Sequence, residues 1–540
     1  MKKRIYSKDI SFGDIDARHE ILARDERKQQ LFLDSFFLPP SLNIDKLRNG
    51  ERFLVCGPKG SGKTACLRYL QNQLDKNKNS KSKFIVFRDD VTTQDREKII
   101  GLSKIRLYET QPDDESDEHD PLAMDCLSAW QLFIHREIAD IISRSHDFCA
   151  KTPDVLGYIK LLNSFFSQYR TGVFKKILQS ITKGRIKISG FGQGFEAEAE
   201  FIDRHGNIDV SEFVRYCNGI VTNLDFNAEL SDPRINIFFD ELNISFVSGL
   251  DFRQNAVLIR DLVSACGTLN SKFSEHSLPI FIYTAIRSEV ADSVESSVRE
   301  LKKWIDDQAE FVDWYTPRTD YNEQPILGLL NRRIAANEHR QLGLSEIPNE
   351  IEWNLYFDPK VGNIPFQNFL LFETWGRPRD LVRLFKSVTP HLEDHERFGG
   401  RSFAFGAKSY SKSCWDEKHD ELNAKYPQSA IETIKRFLHN FDGTFSRSQF
   451  ETRVIQISGS DPRAKQFFND RNLDVFLEDL YKVGILGNIL KSKKGGSYPS
   501  YLYTGLTTFN AHDVMCVHRS LWKELGLTNS QKLQSKPKRK

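Results

Sequence analysis

Methionine is nearly absent, three residues in 540, whereas phenylalanine reaches 40. The interior is therefore expected to be built from rigid aromatic rings rather than flexible thioethers. No apolar run in the chain approaches the length of a membrane span, so no membrane association is expected. The opening MKKRIYSKDISFGDID is basic but lacks an apolar core, which argues against a secretory signal. None of the eight cysteines (Cys56, Cys66, Cys126, Cys149, Cys217, Cys266, Cys414 and Cys516) forms a C-x-x-C pair. Structural zinc is not expected, and a reducing cytoplasm is the expected compartment. Charge of one sign is also lacking: 76 Lys and Arg against 74 Asp and Glu give a net +2. That excludes a general affinity for polyanions and leaves only local patches. The length suggests two to four domains.

Against this background stands GPKGSGKT, Gly57–Thr64, which fits G-x-x-x-x-G-K-[ST] without deviation. Gly57, Gly60 and Gly62 allow a tight turn that brings backbone N–H groups against phosphate oxygens. Lys63 would reach the β- and γ-phosphates of ATP, and the Thr64 hydroxyl would ligate Mg²⁺. Pro58, Lys59, Ser61 and Ala65 complete the candidate nucleotide-binding set. RFLVC (52–56) reads as a strand before the loop, and ACLRYLQNQL (65–74) as a helix after it, so the loop meets a helix N-terminus.

Such a loop needs an acidic strand as partner. RINIFFDELN (234–243) supplies one, with a buried-strand pattern ending in Asp240 and Glu241. Asp240 would hold the metal shell, and Glu241 would polarise the attacking water as a general base. FIVF (84–87), PIFIYT (279–284) and EFVDW (310–314) read as further strands, with a long helix over 252–271. One strand thus intervenes in sequence between the loop strand and the acidic strand.

That arrangement resembles the additional-strand P-loop ATPases, which include the AAA+ and STAND groups. The resemblance implies an α/β fold with five parallel strands and the loop strand inside. In it, Thr284 or Arg287 is a candidate γ-phosphate sensor. ETWGRPRDLVRLFKSV (373–388) resembles the second-sensor helix of the same proteins, which makes Arg379 a catalytic or sensing candidate. Arg332 and Arg333 are a weaker pair of trans-finger candidates, since adjacent helical arginines usually face solvent.

The remaining chain reads as follows. LARDERKQQLFLDSFFLPP (22–40) is an amphipathic helix ended by prolines, its Phe36 and Phe37 more readily core residues than nucleotide neighbours. About 145 residues separate the second strand from Asp240, an insertion by length. It holds an acidic run (113–120), a helix over 121–142, a hairpin over 185–201, and a basic stretch of Lys175, Lys176, Lys183, Arg185 and Lys187. ERFGGRSFAFGAKSYSKS reads as a linker. Helices over 429–439, 446–455 and 472–483 then lead into ILGNILK and YLYTG, an alternating strand pair. Three helices and a wing resemble a winged-helix domain. Its wing carries Lys491, Lys493 and Lys494, suited to DNA phosphate. Its third helix carries Asp474, Glu478 and Asp479, unsuited to reading a groove. The terminal SKPKRK is basic.

The expected domains are an N-terminal lead-in (1–50), an ATPase core (51–320) with its insertion at about 110–230, a helical lid (321–395), a linker (396–425), a winged-helix-like domain (426–528) and a basic tail (529–540). FGDIDARHE, the PPSL…GERFLVCGPKGSGKT block and TWGRPRDL resemble a bacterial P-loop ATPase family met in mobile elements and phage-defence islands. That resemblance implies an ATPase acting as a nucleotide-dependent switch with a protein effector or by self-assembly. The alternatives are a DNA-binding initiator or loader of the origin-recognition type, and, less favoured, a kinase, since no second substrate pocket is evident in the sequence.

Overall fold

The structure is a computed structural model. It describes residues 5–77, 79–91, 99, 126–145, 155–156, 158–160, 162, 210–222, 234–242, 252–288, 290–291, 299–316, 321–423, 425–469, 471–491, 496–505 and 508–528. The acidic run, the 185–201 hairpin, the basic stretch over 175–187, Lys493, Lys494 and the tail lie outside the described residues. The chain forms two compact units. One comprises residues 43–59 and 63–312. The other comprises residues 1–42, 60–62 and 313–540.

The first of these is a five-stranded parallel sheet. Its strands are β1 (Leu54–Gly57), β2 (Ser80–Val86), β3 (Arg234–Leu242), β4 (Ile280–Arg287) and β5 (Ala309–Phe311). They lie in the order β2-β3-β4-β1-β5, all pairs parallel. β4 therefore separates the loop strand from the acidic strand, the arrangement of the additional-strand class. The central strands carry continuous apolar runs because both faces are covered: every residue of β1 is buried, as are Ile235 to Asp240 in β3. Helix Lys63–Asp75 turns Cys66, Leu67, Leu70 and Leu74 inward at helical spacing. Helix Leu127–Arg144 supplies Trp130, Phe133, Ile134 and Ile138, and helix Phe252–Glu275 supplies Leu258, Leu262 and Leu269. The sheet is tied down at its β5 edge by Glu310, which is buried and accepts from Asn43 N at 2.7 Å.

In the other unit, helix Glu26–Asp34 starts at Asp25, whose carboxylate accepts from Arg27 N at 2.9 Å. It stops at Ser35, short of the prolines. Phe37 lies against Trp314 with ring centroids 6.3 Å apart. Gly328 has no Cβ because one would meet the Phe37 ring at 2.6 Å. Helix Pro325–Leu342 is followed by a two-stranded hairpin, β6 (Lys360–Val361) and β7 (Ile364–Pro365), then by helices Phe366–Glu373 and Pro378–Val388. Phe357, Phe366, Phe385, Phe398 and Phe403 form one aromatic cluster here, with Phe357 and Phe366 stacked at 4.5 Å. This is where part of the phenylalanine excess goes.

The stretch expected as a linker is instead a 23-residue helix, Gly400–Leu422. Ser402, Gly406, Tyr410, Cys414, Lys418 and Leu422 recur every fourth residue and are all buried. Glycine and serine here serve close packing rather than a turn. A Cβ on Gly406 would stand 2.7 Å from Ser387 O and 2.8 Å from Val388 Cγ2.

The C-terminal part contains helices Gln428–Leu438, Arg447–Ser460, Pro462–Asn469 and Leu473–Lys482. They pack with an antiparallel sheet of β8 (Thr444–Phe445), β9 (Leu486–Lys491), β10 (Ser497–Ser500) and β11 (Met515–Val517), ordered β10-β9-β11-β8. Its core is a second aromatic cluster of Phe437, Phe450, Phe467 and Phe476. The wing strand expected at YLYTG lies earlier, at SYPS, and 502–504 is a turn of 3₁₀ helix. Pro499 is accommodated because β10 is an edge strand. The acidic side chains of the third helix are engaged within the domain. Asp474 accepts from Arg447 Nε at 2.7 Å, Asp479 binds Lys425 Nζ at 2.6 Å and the Tyr426 hydroxyl, and Glu478 pairs with Lys482 at 2.9 Å.

Candidate functional site

The glycine loop begins where β1 ends. Gly57 is in register with Arg287 at the end of β4. Gly60 and Gly62 have φ of +83° and +97°, in the region open to glycine. Pro58, Lys59 and Gly60 are half-buried, and Ser61 is fully buried. Lys63 opens the following helix, and its ammonium donates to Gly57 O at 2.8 Å and Pro58 O at 2.9 Å. Thr64 and Ala65 occupy the first turn, half-buried. Burial pushes the Cys66 thiol up to about 12, which removes it as a nucleophile beside the loop.

Asp240 and Glu241 end β3 at an irregularity. Phe239 pairs with Thr284 and Leu242 with Ile286, so β3 advances three residues against two on β4. This is a bulge, a device that re-aims side chains at a strand end. Its second member, Glu241, adopts φ +57°, a left-handed conformation costing a non-glycine residue about 1–2 kcal/mol. Asp240 is 2 % exposed and Thr284 wholly buried. Thr284 is in register both with Phe239 and with Leu54 of β1, so it stands between the two site strands.

Buried polar groups ordinarily have partners. Asp240 Oδ2, Thr284 Oγ1 and Ser61 Oγ have none. A carboxylate and hydroxyls are the hard oxygen donors that suit Mg²⁺ and its waters, and a cradle of left-handed glycines suits phosphate. Each set by itself thus offers what such a ligand takes: Asp240 and Thr284 suit a hard cation, and the left-handed glycines suit a phosphate. Among the described residues, no group of three or more His, Cys, Asp or Glu is placed to hold a metal without such help.

Arg379 lies in the same unit as the loop's middle. Its N–H approaches Gly60 O at 3.4 Å, and a Cβ on Gly60 would meet Arg379 Cβ at 3.2 Å. Its guanidinium reaches Glu417 at 3.4 Å and leaves Nε without a hydrogen bond. The neighbouring Arg377 is buried and holds Asp380 through Nε at 2.8 Å, while Arg383 binds Asp380 at 3.3 Å and Glu417. These carboxylates push the Arg377 guanidinium further up against the pull of burial. Of the two motif arginines, Arg377 is thus committed to the protein interior.

Arg332 is half-buried. Arg333 does not face solvent as adjacent helical arginines were expected to. It is 7 % exposed and donates to Ser11 O at 3.0 Å and Ser35 Oγ at 2.7 Å, and it pairs with Glu20. It is a structural tie between the N-terminal residues and helix Pro325–Leu342. Sequence reasoning passed over Trp314, whose indole N–H donates to Ser61 O at 2.6 Å. The one available signal was an aromatic residue just past a short strand.

Among the described residues no helix is long and apolar enough to cross a membrane. No family model matches the chain, and no curated protein matches it in sequence. The architecture is that of P-loop NTPases in general terms.

Proposed function

We propose that the chain binds ATP with Mg²⁺ at Gly57–Thr64 and hydrolyses it, acting as a nucleotide-dependent conformational switch. The observation that carries this reading is the end of β3. There a buried Asp240 oxygen without a partner adjoins a Glu241 held in a left-handed backbone. Strain of that kind persists where the surroundings over-determine it, and it concentrates at functional sites. Thr64 and Asp240 would hold the Mg²⁺, which when bound neutralises charge on the phosphate oxygens. Lys63 would leave its loop carbonyls for the phosphates, and Glu241 would orient and deprotonate water. Thr284, Arg287 and Arg379 are the candidates for responding to the γ-phosphate. The switch would be read by a protein effector or by a second copy of the chain, a setting consistent with bacterial anti-phage defence. The carboxylates Asp474 and Glu478 exposed on that helix favour this over the DNA-loader reading, because they are unsuited to the base contacts of a groove-reading helix.

The test is ATP turnover by wild type, Lys63→Ala and Glu241→Gln, with and without duplex DNA. Slow turnover indifferent to DNA, abolished by Lys63→Ala, with Glu241→Gln retaining ATP and changing oligomeric state, is the expected result. DNA-stimulated turnover would move the assignment to a loader. Equal turnover in all three proteins would overturn the site.

A further inference from the structure

A phosphate loop works only if its N–H groups point into the cradle. Each peptide is planar, with C=O and N–H directed oppositely. Whatever holds the carbonyl of one residue on the outside therefore sets the N–H of the next residue on the inside. Glycines make this necessary, because residues free to adopt either sign of φ let a peptide plane flip at little cost.

Two consecutive planes in this loop are held from outside. Trp314 Nε1 donates to Ser61 O at 2.6 Å, which fixes the Ser61–Gly62 plane and so the direction of the Gly62 N–H. Arg379 N approaches Gly60 O at 3.4 Å, on the Gly60–Ser61 plane, and so bears on the Ser61 N–H. The first bond is short and buried: Trp314 is 5 % exposed and Ser61 wholly buried. The indole is itself fixed, packed beside Phe37, which fills the space left by Gly328. The flanking Gly60 and Gly62 both have positive φ, so this is where the loop is most able to flip.

We propose that Trp314 is a positioning residue for the phosphate loop, pre-setting the Gly62 N–H for nucleotide phosphate through its bond to the Ser61 carbonyl. The inference rests on the loop being a nucleotide site. Without the indole N–H, the loop spends part of its time with that peptide turned, and the apparent affinity falls by the fraction competent to bind. For one buried hydrogen bond the loss is about five- to tenfold. Turnover at saturating ATP is retained, since the bond is made equally in ground and transition states.

The experiment is calorimetric titration of AMP-PNP with Mg²⁺ into wild type, Trp314→Phe, Lys63→Ala and Trp415→Phe, the last a buried indole elsewhere in the same unit. It is joined to measurements of kcat and KM for ATP. Should Trp314→Phe fail to fold, β-(3-benzothienyl)alanine at position 314 keeps the ring's shape and removes only the N–H. A weakened Kd and raised KM at unchanged kcat, confined to position 314, support the inference. Binding by the folded position-314 variant within about twofold of wild type overturns it, as does equal weakening in Trp415→Phe. If wild type and Lys63→Ala bind alike, or neither binds, the nucleotide reading itself has failed and takes this inference with it.

Discussion

The strain at Glu241 makes a prediction whose sign is opposite to that for an ordinary strand residue. Replacing Glu241 with alanine and with glycine removes the same atoms beyond Cβ, so any contact of the carboxylate is lost from both variants. They differ only in the Cβ methyl and the backbone freedom it restricts. At φ +57° alanine keeps the left-handed penalty of about 1–2 kcal/mol, which glycine escapes. Glycine in turn loses about 0.5–1 kcal/mol more chain entropy on folding. The balance puts Glu241→Gly about 1 kcal/mol above Glu241→Ala in stability. At a regular position in β3 the order would be reversed. Urea unfolding followed by circular dichroism resolves this as a midpoint difference of about 0.3 M, for an m-value of about 3 kcal/mol/M. Both variants should also bind ATP and fail to turn it over. An alanine variant as stable as the glycine variant, or more so, would refute the claim that strain is stored at this residue.

Two further outcomes follow from the packing and the buried histidines. Gly406→Ala should destabilise by about 1 kcal/mol, because overpacking against Ser387 O and Val388 outweighs the gain in helix propensity. Gly459→Ala, with nothing within 4 Å, should stabilise by about 0.5–1 kcal/mol, and thermal unfolding that moves both variants the same way would contradict the seam between helices Pro378–Val388 and Gly400–Leu422. His135 is buried between the Tyr158 hydroxyl at 2.8 Å and Asn218 Oδ1 at 3.1 Å, and burial, reinforced by Lys272, lowers its pKa to about 4. Its folded pKa lies below its unfolded value, so the unfolded chain binds more protons in the window between them. The stability it contributes is present above about pH 6.5 and is lost on acidification, by about 3 kcal/mol at pH 4. His135→Asn should flatten the pH dependence of the unfolding free energy between pH 6.5 and 4, and an unchanged slope would place the titration elsewhere.

The core was legible because its signals are local and dense. Continuous apolar runs marked β1, β3 and β4, and the loop motif fixed which strand came first. Sequence could also show that one strand intervenes before Asp240, and the five parallel strands with the loop strand inside are what the resemblance to the additional-strand class implied, whereas the order β2-β3-β4-β1-β5 came only from the structure. The bulge at Asp240–Glu241 was not legible, because it is defined by register against β4 rather than by residue type. Gly400–Leu422 was misread because glycine and serine signal both turns and close helix contacts, and only the partner helix decides which. The wing was displaced for a similar reason: SYPS carries a proline, which argues against a strand until its edge position is known. Arg333 was misjudged because its partners, Ser11, Glu20 and Ser35, lie some 300 residues away in sequence. Trp314 was missed because a donor to a backbone carbonyl leaves no motif, and an aromatic residue past a short strand has many ordinary uses.

The segment before Arg379 explains how the C-terminal part can matter to the loop. Trp375 donates to Gly484 O at 2.8 Å and stacks on His518 at 4.2 Å, with planes 14° apart. His518 meets the Tyr503 hydroxyl at 3.2 Å, Tyr503 reaches Thr374 O at 3.4 Å, and Arg519 pairs with Glu373 at 2.8 Å. Burial together with Lys418 and Arg377 keeps His518 neutral, with its pKa well below the ordinary value. A neutral imidazole can lie flat against an indole already flanked by two cations, where an imidazolium would be repelled. Residues 373–375, held in this way, are separated from Arg379 only by Gly376, Arg377 and Pro378. Arg377 is itself locked to Asp380, so the segment has little slack to absorb a displacement at either end. If nucleotide moves Arg379 relative to Gly60, the cost is borne by these same contacts. Linkage then requires that a partner bound to the C-terminal domain alter nucleotide affinity by the same factor that nucleotide alters the partner's.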